Sequence, residues 1–147
     1  MLICLATAAD IPELMALEQD APTAAHWSEG NYRAAFSADA ARRIILVAKE
    51  DVIRGFLAGR SLGKEWEIEN LVVANATRRR GLATWLVLEF MRVAASEGGE
   101  DIFLEVRESN LAARTLYDKL QFADTGRRPS YYVNPVEDAV LYQRKSR

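Results

Sequence analysis

The sequence predicts one α/β (α+β) domain in which a mixed, mostly antiparallel sheet of six or seven strands carries about four helices on its two faces. The first half contains several apolar runs joined by short polar turns, which is typical of antiparallel strands. The second half alternates apolar runs with helical patterns, which is typical of strand–helix–strand units. The chain has 147 residues, half of them hydrophobic, and residues 1–147 are therefore expected to form a single domain with its own core.

The N-terminal part predicts a strand followed by two helices. The apolar run Leu2–Ala6 favours a strand. Asp10, followed three residues later by Glu13, is typical of a helix start, and apolar residues then recur at helical spacing: Ile11, Leu14 and Leu17. A second helix is predicted to begin at Ser28 and to place two aromatic residues on one face: Tyr32 and Phe36.

Three consecutive strands are predicted in the middle of the chain. Arg43–Lys49 and Val52–Ser61 are rich in Ile, Val, Leu and Phe, and Glu50 and Asp51 between them indicate a tight hairpin. Glu65–Val73 follows with apolar and acidic residues in alternation, which predicts a third strand.

The second half begins with a long helix over Gly81–Ser96, whose apolar residues fall four apart and which Gly98 and Gly99 are expected to end. The remaining elements are predicted as a strand at Ile102–Val106, a helix at Asn110–Leu120, and a hairpin of Phe122–Val133 and Ala139–Gln143 around Asn134 and Pro135.

Composition excludes several functional classes. The formal net charge is −2, with 19 basic and 21 acidic residues, and this argues against nucleic acid as the main partner. The single cysteine, Cys4, cannot form an internal disulfide, and the apolar start Met1–Ala9 is short and lacks a basic leader. We therefore expect a cytoplasmic domain without a membrane segment. No cluster of metal-ligand residues occurs, so no metal is predicted.

A candidate phosphate-binding turn lies between the third strand and the long helix, at Arg78–Ala83. Small residues at Gly81 and Ala83 let the backbone approach a ligand closely. The first N–H groups of the helix and its dipole then form an anion site suited to a pyrophosphate. The spacing matches neither the P-loop nor the three-glycine dinucleotide fingerprint. A triple arginine before a helix is also typical of a solvated surface, and the turn alone leaves both interpretations open.

The segment Leu104–Asn110, with Ala112, Ala113, Leu116 and Tyr117 behind it, resembles the Leu-Glu-Val-Arg-x-x-Asn-x-x-Ala-x-x-Leu-Tyr segment of the ribosomal-protein-alanine N-acetyltransferases. These enzymes belong to the GNAT superfamily, whose Arg/Gln-x-x-Gly-x-Gly/Ala pattern Arg78–Ala83 matches. Trp27–Glu29 after Leu17 and Glu18 is similar to the substrate loop of that family, and Gly126–Tyr132 with Glu137–Ala139 is similar to its final hairpin. The resemblance runs from about residue 3 to about residue 143.

Four positions depart from the family pattern. Ala25 and His26 replace an aromatic residue and a proline in the substrate loop, Gln121 replaces the glycine expected after the last helix, and Asn75 stands where proline is frequent. A left-handed Gln121 would cost about 1 kcal/mol. These departures leave the cofactor turn and the reacting residues intact, but they leave the acceptor open.

The resemblance implies a GNAT fold and transfer of an acetyl group from acetyl-CoA to a protein N-terminus by direct attack in a ternary complex. Leu71 and Val73 are expected to pair with the pantetheine arm like an added strand, and the Val73 N–H to face the thioester oxygen. Asn110 is expected both to cap its helix and to bind that arm. The full set expected to contact the cofactor is Leu71, Val72, Val73, Arg78, Arg79, Arg80, Gly81, Leu82, Ala83, Thr84, Asn110 and Tyr117.

Acetyl transfer to an amine requires a base, and the resemblance implies Glu105 in that role, acting directly or through a water molecule. An α-amine has a pKa of about 8, so about a tenth of it is already neutral at pH 7 and a modest base suffices. Spacing alone equally allows a carboxylate on the solvent side of the strand or one paired with Arg107.

Tyr117 is implied as the acid that protonates the departing sulfur. A phenol with a pKa of about 10 donates to a thiolate whose conjugate acid has a pKa of about 8.5 with only a small uphill difference. Its spacing from Leu116 and Leu120 also suits an aromatic residue that only packs in the core.

The acceptor site is expected to include Glu18, Trp27, Tyr32, Tyr131 and Tyr132, although paired tyrosines at a hairpin also suit a core. His26 is expected to be an exposed loop residue. By resemblance the acceptor is a small-subunit ribosomal protein beginning with alanine. Three alternatives remain. The first is an acetyltransferase for a small amine, polyamine or free amino acid, and the second is a coenzyme-A-binding sensor without turnover. The third is a nucleic-acid binder using Arg78–Arg80 and Arg127–Arg128.

Overall fold

A seven-stranded sheet forms the framework of the computed structural model, which describes residues 1–21, 24–37, 42–74 and 81–145. In chain order its elements are β1 (Leu2–Leu5), a 3₁₀ turn (Ala8–Asp10), α1 (Ile11–Gln19), α2 (Glu29–Ala35), β2 (Arg43–Lys49), β3 (Ile53–Leu62), β4 (Glu65–Val73), α3 (Leu82–Ser96), β5 (Asp101–Arg107), α4 (Leu111–Lys119), β6 (Ala123–Tyr132) and β7 (Glu137–Lys145). The strand order is β1-β2-β3-β4-β5-β7-β6, and only β4 and β5 run parallel. The predicted mixed, mostly antiparallel sheet is confirmed.

Two hydrophobic cores lie on opposite faces of the sheet. The α3 face carries α3 and α4, and Leu86 and Phe90 are fully buried there. Phe90 packs so closely on β3 that a β-carbon at Gly59 would lie 2.3 Å from its ring, so only glycine fits at this point. The α1 face carries α1 and α2, which place Leu14 and Tyr32 over β2, β3 and β4. The predicted helices on both faces are confirmed.

The helix starts follow local hydrogen bonding. Ser28 caps α2, since its Oγ accepts from the Asn31 N–H at 3.1 Å, as predicted. The predicted helix start at Asp10 is confirmed, since Asp10 is the N-cap residue of α1, which begins at Ile11. Its carboxylate accepts from the Thr7 N–H at 2.8 Å and closes the preceding 3₁₀ turn, so it makes no side-chain cap on α1.

A β-bulge in β4 decides which of its side chains face which core. Ile68 pairs with Gly59 and Asn70 pairs with Ala58, so Glu69 is an extra residue in the ladder. Before the bulge, Ile68 faces the α3 side. After it, Asn70 faces α1, because its side chain bonds a residue of that helix. The alternation of β4 therefore reverses at Glu69.

Other differences from the predicted elements are confined to their ends. The last strand is longer than predicted, because β7 pairs along all of β5 from Arg107↔Ala139 to Asp101↔Lys145. Gln121 adopts a φ of 67°, so this residue occupies the left-handed conformation expected from the family pattern. None of the helices in the described ranges has the length and apolarity that crossing a membrane requires.

Candidate active site

The parallel pair β4 and β5 opens into a cleft. Their ladder runs from Glu65↔Asp101 to Ile68↔Leu104 and ends there. Beyond that point lies a cavity of about 880 Å³ whose walls come from both strands, the loop at residues 24–27, the start of α4 and the β6–β7 turn. The sheet therefore has a gap at its centre, and side chains from both faces reach it.

Glu105 enters the cleft from the α1 face. Its neighbours Leu104 and Val106 are buried on the α3 side, so the alternation of β5 directs Glu105 to the opposite face. The side chain is 14% exposed, and Oε1 lies 3.1 Å from Nε of Arg128 in β6. The two open alternatives for Glu105 are wrong: the carboxylate is mostly buried, and Arg107 pairs with Glu137 at 3.2 Å instead.

Tyr117 lines the same cleft from the α3 face. It is 3% exposed and packs edge-on against Phe122, with ring centroids 5.2 Å apart. Burial raises the pKa of its phenol, which keeps the hydroxyl protonated across the physiological range. Tyr117 therefore packs in the core and also lines the cleft.

Asn110 both caps α4 and lines the cleft. Its Oδ1 accepts from the Ala113 N–H at 3.2 Å, which makes it the N-cap of α4 as predicted. The same residue lines the cleft. A polar side chain is thereby fixed at the wall where β5 ends and α4 begins.

β4 contributes residues 67–71 to the wall of the cleft. Leu71 lines the cleft, whereas Val72 is 2% exposed and packs in the core on the α1 face. Val73 packs against the core on the α3 face. Because both side chains pack in the cores, the prediction that Val72 and Val73 contact a ligand now concerns their backbone groups.

The N-terminus of α3 has the features of an anion site. Gly81 precedes the helix with a φ of 74°, and a β-carbon there would meet no atom of the described residues within 4 Å. Within the described ranges, no side-chain hydrogen bond caps the first turn. Leu82 is buried in the core, while Ala83 and Thr84 are half-buried. The predicted contacts of Arg78, Arg79 and Arg80 lie outside the described residues.

Two residues expected in the acceptor site lie beneath its wall. Glu18 is 2% exposed and accepts a hydrogen bond from Asn70 Nδ2, and Asn70 Oδ1 accepts in turn from the Ala25 N–H at 3.3 Å. Burial raises the pKa of Glu18, and the hydrogen bond that it accepts from Asn70 opposes the rise. Tyr32 is fully buried beside Glu18, and burial with this carboxylate raises its pKa strongly. Neither Glu18 nor Tyr32 lines the cleft; both support the loop that does.

That loop carries Trp27 and His26 at the mouth of the cleft. Trp27 is half-buried between the Tyr32 ring, at 5.3 Å, and the Arg43 guanidinium, at 5.7 Å. His26 is exposed, as predicted, and has a φ of 56°. The substituted positions of the loop, Ala25 and His26, thus face the space where an acceptor would lie.

Tyr131 and Tyr132 form the opposite wall. Tyr131 is 51% exposed and Tyr132 is half-buried, so these residues are not a hairpin core. The Tyr132 ring lies 4.6 Å from the Arg107 guanidinium. Burial and the negative charge of Glu105 raise the pKa of Tyr132 to about 12, and Glu105 also raises the pKa of Tyr131.

The charged floor of the cleft is a feature that the sequence did not reveal. Arg60 Nε lies 2.8 Å from Glu67, and Arg43 Nε lies 3.0 Å from Glu69. Burial raises the pKa of Glu67, and Arg60 opposes the rise. The acidic alternation in β4 was visible, but an alternating strand is equally typical of one that faces solvent.

Comparison with known proteins places this geometry in a family. The family model described as "Acetyltransferase (GNAT) family" matches residues 11–122. The [ribosomal protein bS18]-alanine N-acetyltransferase of Salmonella typhimurium is 30% identical over 142 residues, covering 95% of this chain and 93% of that protein. An N-alpha-acetyltransferase of Saccharolobus solfataricus is 36% identical over 85 residues, covering 57% of this chain but only 50% of the length of that relative.

The fold agrees with these matches. The crystal structure of the ribosomal-protein-S18-alanine N-acetyltransferase from Escherichia coli superposes with a TM-score of 0.85 at 25% identity, covering 98% of this chain and 92% of that one. The family match spans most of the chain, and the bacterial relative is matched over almost its whole length. The chain therefore belongs to the GNAT acetyltransferase family, and its relatives include the ribosomal-protein-alanine N-acetyltransferases.

Proposed function

We propose that this protein transfers the acetyl group of acetyl-CoA to the N-terminal α-amine of a protein by direct attack in a ternary complex. The observation that carries the proposal is that Glu105 and Tyr117 reach one cleft from opposite faces of the sheet. A base and an acid are thereby available on the two sides of one reacting centre, as transfer from a thioester to an amine requires.

The residues present fit acetyl-CoA. The open, uncapped start of α3 at Gly81 suits its pyrophosphate, with Arg78–Arg80, Leu82, Ala83 and Thr84 as the neighbouring contacts we propose. Leu71 and Asn110 line the cleft and would hold the pantetheine arm. When bound, acetyl-CoA supplies an acyl group activated as a thioester.

Glu105 takes the proton of the acceptor amine, directly or through a water molecule. Its carboxylate is mostly buried on the α1 face, where the loop at residues 24–27 and the Tyr131–Tyr132 wall flank an entering chain. Because the reacting amine must be neutral, an acceptor with a pKa of about 8 needs less help than lysine at about 10.4. This favours an α-amine over a lysine side chain.

Tyr117 holds a proton on the other face and donates it toward the departing sulfur. The raised pKa of its buried phenol ensures that the hydroxyl is protonated before the reaction. The same burial makes the phenolate costly, so donation to the sulfur is more uphill than the ordinary pKa of a phenol indicates.

We infer that the acceptor is an extended peptide, as the relatives' names indicate for their own substrates. A small-subunit ribosomal protein with an N-terminal alanine is the first candidate. Trp27, Tyr131 and Tyr132 provide aromatic surface along the cleft for such a chain. We place the reaction in the cytoplasm, since a single cysteine allows no internal disulfide and a reducing compartment suits such a chain.

A small amine or polyamine is the second candidate, and the cleft floor favours it. Glu67 and Glu69 join Glu105 in the walls, which is a set of carboxylates suited to a polycation. Arg60 and Arg43 neutralise the first two, so the advantage for a polycation is reduced. We therefore rank the peptide first.

The deciding experiment is an acceptor panel assayed by free-thiol release and mass spectrometry. Peptides beginning with Ala, Ser, Met or Gly, each with an internal lysine, are compared with N-terminally acetylated copies and with spermidine. Acetylation of the α-amine, absent from the blocked copies, is the expected result. Turnover on spermidine alone would replace the peptide proposal by the small-amine one, and binding of acetyl-CoA without any turnover would favour a sensor.

A further inference from the structure

The carboxylate of Glu105 already has a cationic partner. Arg128 reaches it from β6, across β7, with Nε 3.1 Å from Oε1. The register explains how this is possible, because Ala139 of β7 lies between Arg128 and Arg107 of β5. The methyl group of Ala139 is fully buried and leaves room for a long side chain to pass above it.

The same guanidinium also lies over an aromatic ring. The Arg128 guanidinium carbon is 5.5 Å from the Tyr131 ring centre. A carboxylate and an aromatic face together form a general recognition site for a cation such as an ammonium group. In this structure the side chain of the protein itself fills that site.

The pair is partly open to solvent on one side only. Arg128 is 56% exposed, whereas Glu105 is 14% exposed. Water can solvate the exposed guanidinium when it leaves, but a mostly buried carboxylate left without a cation is costly. We therefore expect Arg128 to leave Glu105 when another cation takes its place.

The other charged and titratable groups near Glu105 are held by partners of their own. Arg107 is fixed by Glu137 and by the carbonyl oxygens of residues 133 and 135. Glu67, on the β4 side, pairs with Arg60. Tyr131 and Tyr132 are neutral phenols whose pKa values are raised by the negative charge of Glu105. Among these described groups, Arg128 is thus the cation with the freedom to move.

We propose that Glu105 and Tyr131 form an ammonium subsite that Arg128 occupies in the free enzyme, and that the acceptor amine displaces Arg128 when it binds. This inference rests on the proposed function, since it assigns the acceptor amine its place beside Glu105. Arg128 acts as a positioning residue. It holds the Glu105 carboxylate toward the cleft until the ammonium group of the acceptor takes its place.

Side-chain NMR tests the exchange without turnover. The Nε–H signal of Arg128 in ¹⁵N-labelled protein is identified by its loss in Arg128→Gln. With CoA bound, an alanine-initiated tetrapeptide is added at pH 6.5, where an α-amine with a pKa of about 8 is mostly charged. We expect the Arg128 signal to shift and to exchange faster with water. The N-acetylated tetrapeptide should leave it unchanged, and a signal that moves with neither the free peptide amine nor spermidine would overturn the proposal.

Kinetics provide the second test, with Arg127 as the matched control. Arg127 is the neighbouring arginine, but it pairs with Asp124 at 2.8 Å, away from Glu105. Arg128→Gln should lower the acceptor KM about two- to fivefold, equivalent to about 0.4–1 kcal/mol at 1.4 kcal/mol per factor of ten. The KM for acetyl-CoA should not change. Arg128→Lys should remain near the wild type, and Arg127→Gln should match it. A higher acceptor KM in Arg128→Gln would show that Arg128 helps to bind the acceptor and would contradict displacement.

Failure of the proposed function and failure of this inference give different results. If spermidine, and not the peptide, shifts the Arg128 signal, the subsite stands and the acceptor assignment falls. If peptides are acetylated while Arg128 stays on Glu105, the proposed function stands and the displacement is refuted.

Discussion

Tyr117 meets two requirements with one side chain, because it packs in the core and also lines the cleft. We predict that Tyr117→Phe lowers kcat by about 10²–10⁴-fold, the range for loss of a general acid, with little change in the Kd of acetyl-CoA. Turnover and calorimetric titration measure the two quantities.

Tyr142 provides the control for Tyr117. It is also a buried tyrosine, its ring lies 6.0 Å from that of Tyr117, and its hydroxyl accepts from Arg114 at 3.2 Å outside the cleft. Tyr142→Phe should lower stability by about 1 kcal/mol and leave kcat near the wild type. Equal kcat losses in both variants would mean that packing, and not proton transfer, explains the effect at Tyr117.

Glu105→Gln should reduce the rate most at acidic pH. There the acceptor amine is almost entirely protonated, so removal of its proton depends on the base, whereas at alkaline pH the neutral amine forms without help. Profiles of kcat/KM between pH 6 and 9 measure this. Glu108→Gln, at the exposed end of the same region, serves as the control. A loss that is constant across pH would assign Glu105 to positioning.

The reacting residues were predictable individually, but their surroundings were not. Glu105 and Tyr117 were found through resemblance, and spacing alone left purely structural alternatives for both. The partner Arg128 depends on the register of three strands and on a bulge in β6 between Arg128 and Tyr132. No local pattern in the sequence encodes such a pairing, because it arises from strands that meet only in the folded sheet.

At the scale of elements, the start of α3 is the part of the proposed phosphate-binding turn that the structure describes. Gly81 has a φ of 74°, and a side chain there would contact none of the described residues. Gly81→Val should therefore be tolerated sterically but should obstruct a phosphate and strain the backbone by about 1–2 kcal/mol. We expect the acetyl-CoA Kd to rise at least tenfold.

Gly63 separates these two effects. It lies in the β3–β4 turn with a φ of 84°, and a β-carbon at this position would, as at Gly81, meet no atom within 4 Å. Gly63→Val should lower the free energy of unfolding by a similar amount while leaving the acetyl-CoA Kd unchanged. Retained affinity in Gly81→Val would refute the phosphate-binding interpretation of this turn.

Most elements were predicted to within a few residues, since burial on one or both faces leaves a clear periodicity in the sequence. The bulge at Glu69 was missed because it leaves the apolar and acidic alternation of β4 nearly unchanged. The 3₁₀ turn at Ala8–Asp10 was missed because the Asp10 carboxylate can accept either from the first turn of α1 or from the residue three positions before it. In the structure it accepts from the Thr7 N–H.

For the molecule as a whole, Glu18 should make stability depend on pH. Burial raises its pKa above the unfolded value, so the folded state binds a proton more readily. Its effect on stability is therefore most favourable at acidic pH, below the unfolded pKa of about 4.3, and is lost as pH rises through the folded pKa.

Glu18→Gln removes this titration, while its amide oxygen can still accept from Asn70. We expect the difference in unfolding free energy between Glu18→Gln and the wild type to grow in favour of the variant from pH 4 to pH 7. The growth should be about 1.4 kcal/mol for each tenfold difference in proton affinity between the folded and unfolded states. Urea unfolding at both pH values measures it; a difference that is independent of pH would contradict the assignment to Glu18.

The bulge in β4 also limits where this protein can change in length. Glu69 is the extra residue between Ile68 and Asn70, whose partners in β3 are adjacent. Removing Glu69 would let Asn70 follow Ile68 in regular alternation, so that Asn70 and the residues after it would keep their faces. Removing Leu71 instead would shift Val72 from the α1 face to the α3 face. Loss of one codon in β4 is thus expected to be tolerated at the bulge and to damage the wall of the cleft beyond it.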